Sequence, residues 1–181
     1  MPVPDFSPGE VLTAAAMDRI GLWLVKTVTI GTGVSSVPVT GVFSSDYENY
    51  KILVSGGITN TPQGVQLQFG PSSVSGYNTS YNTVIVTAAY ASPFGTTITG
   101  GASTSTYLFA GEGNTDNISI DLDVLAPNLA KFTTFQGFYV GGGIGGTSTG
   151  VHKQAEQYTD FTLITSGTMT GGTIRVYGYR N

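Results

Sequence analysis

Asp121 and Asp123 stand two residues apart in the alternating run NISIDLDVL, with Glu112 and Asp116 just upstream. On a strand, positions i and i+2 share a face, and paired carboxylates on one face can run glycoside hydrolysis or hold calcium. The same spacing is also how a sheet face is made soluble, and no dense D-x-D-x-D-G loop accompanies it. A solvated face is the leading reading, an ion site the second and catalysis the third. His152 is the only histidine and cysteine is absent, so a Ser-His-Asp or Cys-His arrangement would have to be assembled around that one residue, and a multi-histidine zinc site is excluded. Beside Lys153, in a stretch read as loop, His152 is expected at the surface. Gly141, Gly143 and Gly146 satisfy the bare G-x-G-x-x-G spacing, but a dinucleotide site needs a parallel βαβ unit around it. The following TSTGVHKQAEQ is a poor helix, so a flexible glycine loop is the expectation. No catalytic, cofactor-binding or metal-ligating residue is assigned, and no cofactor is expected.

Composition narrows the partners. Charged residues make up 10% of the chain, against roughly 25% in ordinary soluble proteins, so the solvent surface must be built from Ser, Thr, Asn, Gln and Gly. The net charge of −4, with seven scattered basic residues, argues against nucleic acid, whose phosphates need Lys and Arg grouped on one face. No run approaches the roughly 18 apolar residues of a membrane span, and the start MPVPDFSPGE lacks the pattern of a secretory signal. The expectation is no membrane partner and no secretory export.

Two regions must carry whatever chemistry there is. Residues 1–21 read as an arm and a helix: Pro2 and Pro4 extend the first residues, Ser7, Pro8 and Glu10 form a cap, and Gly21 closes the helix. Its apolar face, Val11, Leu12, Ala15, Ala16 and Ile20, needs a surface to rest on, since so short a helix is marginal alone. With Trp23 these residues are candidates for docking or oligomer contact. Residues 22–181 alternate with period two, punctuated by Gly, Asn, Ser and Pro about every 8 to 12 residues. The predicted class is all-β, an antiparallel jelly-roll β-sandwich of about ten strands, with strands near 23–30, 37–43, 50–55, 64–69, 83–88, 105–110, 117–125, 132–140, 160–166 and 172–179. The segments 70–82 and 141–151 are expected as long loops at the ends of the sandwich. The closing run GGTIRVYGYRN is expected to pair with the strand before it and with the first strand.

The chain has ten tyrosines. Core or interface packing is their leading reading, since the ring is apolar and the tip polar. Ligand contact is the alternative for those in loops, and Tyr77, Tyr81 and Tyr158 are its candidates.

The segments FSPGEVLTAAAMDRIGLWLVKTVTIG, VFSSDYENYKILVSGG and GGTIRVYGYRN resemble segments of small structural proteins of tailed bacteriophages, including those of cyanobacterial and marine phages. The resemblance covers the front, one inner strand and the last strand. It implies a non-enzymatic virion component with a jelly-roll body, commonly trimeric, assembled in the host cytoplasm and exposed on the particle. Such a protein either decorates the capsid or heads a short tail fibre, and the shortness of the chain inclines the expectation toward decoration. Its partners would be copies of itself and other virion proteins, with the residue 1–20 segment docking on the particle. The alternatives are a module that binds a host-surface glycan through the tyrosine-bearing loops, and, last, an endoglycosidase using Asp121 and Asp123.

Overall fold

The computed structural model describes residues 21–70, 80–89, 96–100, 106–141 and 143–179. The arm and helix expected over residues 1–20, with Val11, Leu12, Ala15, Ala16 and Ile20, lie outside them, as does Tyr77.

The described residues are all-β. Twelve strands follow one another: β1 (Leu22–Thr29), β2 (Val34–Val39), β3 (Asn49–Thr59), β4 (Gln63–Phe69), β5 (Tyr81–Ala89), β6 (Thr96–Gly100), β7 (Leu108–Gly113), β8 (Ile118–Leu125), β9 (Lys131–Gly141), β10 (Ile144–Glu156), β11 (Phe161–Thr170) and β12 (Thr173–Tyr179). Their pairings, all antiparallel, make two ladders. One runs β1-β12-β3-β8-β9-β10-β5-β6 and the other β2-β11-β4-β7. The ladders join where the end of β3 meets the end of β11, at Met169 opposite Thr59, and where Gly113 of β7 faces Ile118 of β8.

Period-two burial explains why these segments are strands. Tyr50, Ile52 and Val54 of β3, Val65, Leu67 and Phe69 of β4, Ile118, Ile120, Leu122 and Val124 of β8, and Ile174 and Val176 of β12 all point into one apolar core. The residues between them face outward, as antiparallel sheets with one wet face require, except that Gln68 is covered and its amide donates to the Thr106 carbonyl. Aromatic rings fill the middle. Phe43 stands edge-on to Tyr50 at 4.8 Å, stacks on Phe161 at 5.8 Å and approaches Phe69 at 6.2 Å.

Three features depart from the sequence reading. First, β6 and β10 add strands. β10 is the longest element, thirteen residues, across the segment expected to be a glycine loop. Its inward positions are Gly146, Ser148, Gly150 and His152, too small or too polar to register as an apolar alternation. They are small because rings of the neighbouring strand occupy the space: Tyr139 faces Gly146 and Phe135 faces Gly150 in the β9–β10 register. A Cβ on Gly150 would lie 2.6 Å from the Phe135 ring and 2.0 Å from the Asn82 carbonyl, and one on Gly146 would lie 2.7 Å from the Tyr139 hydroxyl.

Second, β12 does not pair with β11. It pairs with β1, as expected, and with β3. Gly171 and Gly172, at φ of +68° and +85°, turn the chain out of one ladder into the other, a left-handed conformation that glycine adopts without penalty. The turn is fixed by Ile30 donating to the Gly172 carbonyl and Gly171 donating to that of Gly31, both at 3.0 Å. Third, Tyr81 begins β5 instead of lying in a loop, and its ring is fully buried.

The ring-over-glycine packing makes a direct prediction. Gly150→Ala should lower stability by about 1–3 kcal/mol, the usual cost of overfilling a packed interior, while Thr149→Ala, on the opposite face, should change it by no more than about 0.5 kcal/mol. Urea unfolding of both variants checks this.

Candidate functional site

Inside, the tyrosines chosen as ligand contacts are core residues. Tyr81 is 0% and Tyr158 2% exposed, so neither presents a ring to a ligand, and the loop-borne site loses two of its three residues. They surround His152, which is likewise 0% exposed and not at the surface. The reason is the strand β10: alternation turns His152 inward with Ser148. The imidazole stacks on Tyr81 at 4.0 Å and its Nε2 shares a 2.6 Å hydrogen bond with the Tyr158 hydroxyl. Phe69 packs on Tyr158 at 5.0 Å, and its backbone N–H donates to the Tyr81 hydroxyl at 2.9 Å. Burial lowers the His152 pKa from 6.5 to about 4 and raises that of Tyr81, because each charged form would lose its hydration.

Segment 146–150, GTSTG, also carries the bare G-x-S-x-G spacing of a nucleophile elbow. That chemistry needs a sharp strand-to-helix turn that exposes the serine. Ser148 instead lies mid-strand in β10, buried, with its hydroxyl donating to the Phe109 carbonyl.

Outside, the long ladder presents a grid fixed by register. One row runs Tyr177, Lys51, Asp123, Gln136, Thr149 and Val84; the next runs Arg175, Leu53, Asp121, Phe138, Thr147 and Val86. Asp121 and Asp123 do share one face, as their spacing requires. The cation such a pair invites is supplied by the chain: Lys51 ion-pairs with Asp121 and approaches Asp123 at 3.3 Å. Burial pulls the Lys51 pKa down, but the hydrogen bond to Asp121 and the charges of both carboxylates outweigh it, and the net shift is upward. Tyr179 donates to Asp123 at 2.5 Å. Burial, with that hydrogen bond and the Asp123 charge, pushes the Tyr179 phenol up to about 12.

Lys51, Asp121, Asp123, Gln136, Phe138, Thr147 and Thr149 line a shallow groove of about 270 Å³. Sequence reasoning found the two aspartates and missed the rest, because Lys51, Gln136 and Phe138 lie on other strands and only register brings them together. Among the described residues no group of three or more His, Asp or Glu side chains is placed to hold a metal ion.

At the edge of the same ladder, β1 has β12 as its neighbour among the described residues. It exposes Leu22, Trp23 and Leu24 together, Leu24 to 56%. Trp23, expected as a docking or oligomer contact, is 36% exposed on this edge strand.

No protein-family model matches the chain, and no curated protein is similar to it.

The buried imidazole predicts a pH dependence. Above pH 6.5 both the folded and the unfolded chain hold His152 neutral, and its full contribution to stability is present. Below that value the unfolded chain takes up a proton that the folded chain refuses until about pH 4, so stability falls as pH falls through this window. Between pH 7 and 5 the loss should be about 2 kcal/mol. Urea unfolding at both values should show it in the wild type and not in His152→Gln.

Proposed function

We propose that this chain is a non-enzymatic structural protein of a tailed-bacteriophage virion, a homotrimer with a jelly-roll body that decorates the capsid or heads a short tail fibre. The observation that carries the reading is strand order. With β1, β9, β10 and β12 set aside, the remaining eight strands, counted along the chain, fall into ladders of order 1-8-3-6 (β2-β11-β4-β7) and 2-7-4-5 (β3-β8, then β5-β6). That interleaving supports a double Greek key, the arrangement of jelly rolls, which recur in viral capsid and lectin domains. On this reading the β9–β10 hairpin is an insertion between the seventh and fourth strands, and β1 and β12 widen the same sheet on its other side.

The β1 edge supports assembly. An apolar edge strand is an association hazard unless it is covered, and Leu22, Trp23 and Leu24 expose a continuous apolar run there. In the proposed trimer each β1 edge is covered by a different surface of the next subunit, a heterologous contact that closes into a threefold ring and removes the hazard. Residues 1–20, the proposed docking segment, precede this strand in the chain.

Two experiments test the reading. Light scattering should give a trimer mass for the wild type and a monomer mass for Leu22→Glu/Leu24→Glu, with an unchanged circular dichroism spectrum; a monomeric wild type, or a double variant that stays trimeric, contradicts the edge contact. Deleting residues 1–20 should abolish incorporation into particles while the body stays folded, and particles that still carry the truncated chain rule out the docking role.

A further inference from the structure

We propose that the outer groove across β3, β8, β9 and β10 binds a neutral, hydroxyl-rich saccharide, with Phe138 as its stacking platform. This goes beyond the structural role above and rests on the groove alone, so a failure here leaves the virion reading standing.

Phe138 is 68% exposed, more than any other large apolar side chain among the described residues. Its cross-strand neighbours are polar: Asp121 on β8 and Thr147 on β10. The ring has polar groups on three sides, Asp121, Thr147 and Gln136, and on the fourth Val140, 46% exposed on the same outward face of β9. It is well matched to a sugar ring, which is amphipathic in the same way. The C–H bonds of one sugar face carry partial positive charge and rest on the negative face of the arene. The equatorial hydroxyls at the rim then need donors and acceptors in the plane around it.

The grid provides both. Gln136 and Thr149 lie one row along from Phe138 and Thr147, and Asp121 and Asp123 flank the β8 side. A carboxylate has about four acceptor positions. Lys51 engages Asp121, and Lys51 and Tyr179 engage Asp123, so acceptor capacity is left for hydroxyl donors. The same contacts hold the two carboxylates in place, which lowers the ordering cost of binding.

Charge and size select the ligand class. Two carboxylates against one ammonium leave the groove with a net charge of about −1 at neutral pH, which disfavours sialylated, sulfated or phosphorylated glycans. At about 270 Å³ the groove sits just under the range of roughly 300–1,000 Å³ for drug-sized pockets, a volume for one or two sugar units. The four strands span about 14 Å at ordinary strand spacing, so a longer chain would continue across the sheet.

The test uses the full-length protein on an array of neutral and sialylated oligosaccharides, with any hit measured again by titration calorimetry. Binding should be confined to neutral glycans. Phe138→Ala and Gln136→Ala should each weaken it by about tenfold or more, roughly 1.4 kcal/mol, while Tyr107→Ala, which removes an exposed ring elsewhere, should leave it unchanged. The absence of any neutral hit overturns the proposal, and so does a hit that Phe138→Ala does not weaken. A fall in solution mass with Phe138→Ala also overturns it, because the ring would then be a contact between copies of the chain. Circular dichroism and melting curves of each variant separate lost binding from lost fold.

Discussion

Phe135 and Tyr139 lie over Gly150 and Gly146, and the width of the long ladder depends on those two contacts. A glycine in a strand interior is ordinarily a weakness, since it has nothing to pack. Here the opposing rings reach across the register and fill what the missing side chains leave. The same device recurs at the chain's end, where a Cβ on Gly178 would lie 2.2 Å from the Tyr47 ring. Because β10 can sit flat against β9, the β9–β10 pair can stand between β8 and β5. The groove exists only because that pair is there: Gln136, Phe138, Thr147 and Thr149 all belong to it.

The two faces of this ladder manage polarity differently. Inward, His152 and the tyrosines are accommodated neutral: the Tyr50 hydroxyl is paired with Ser44 and His152 Nε2 with the Tyr158 hydroxyl, while His152 Nδ1 is buried without a hydrogen-bond partner among the described residues. Outward, a chain with 10% charged residues concentrates a cation and two anions in one cluster, with threonine and glutamine around it. Surface ion pairs contribute little to stability. The value of the Lys51–Asp121–Asp123 cluster lies in fixing where its carboxylates point, and a face of this kind is specific without being strongly charged.

Most of the strands were legible because their apolar residues alternate: VQLQF and ISIDLDVL announce both their conformation and their buried side. The strand β10 was not legible for the opposite reason. Its inner face is glycine, serine and histidine, and what makes it a strand is carried by the β9 rings Tyr139 and Phe135, which face Gly146 and Gly150 across the register. The misplacement of His152 follows from that one miss. If residues 141–151 are a loop, the histidine beside them belongs to the surface, whereas in a strand alternation sends it inward. The partner of β12 was misjudged because a hairpin is the default for two strands joined by two glycines, and here those glycines carry the chain across to the other ladder. Asp121 and Asp123 were legible as a pair on one face, but Lys51, Gln136 and Phe138 join them through register, which one sequence does not print.

The account therefore turns on β10 being an ordered inner strand of the sheet. Amide hydrogen exchange over residues 144–156 tests this most directly. Strand order predicts that the backbone N–H groups of residues 145–151, bonded on one side to β9 and on the other to β5, exchange as slowly as those of β9. Exchange of that segment at the rate of an open loop would contradict the account, since it would remove the β9–β10 pairing, the ring-over-glycine contacts and the groove together.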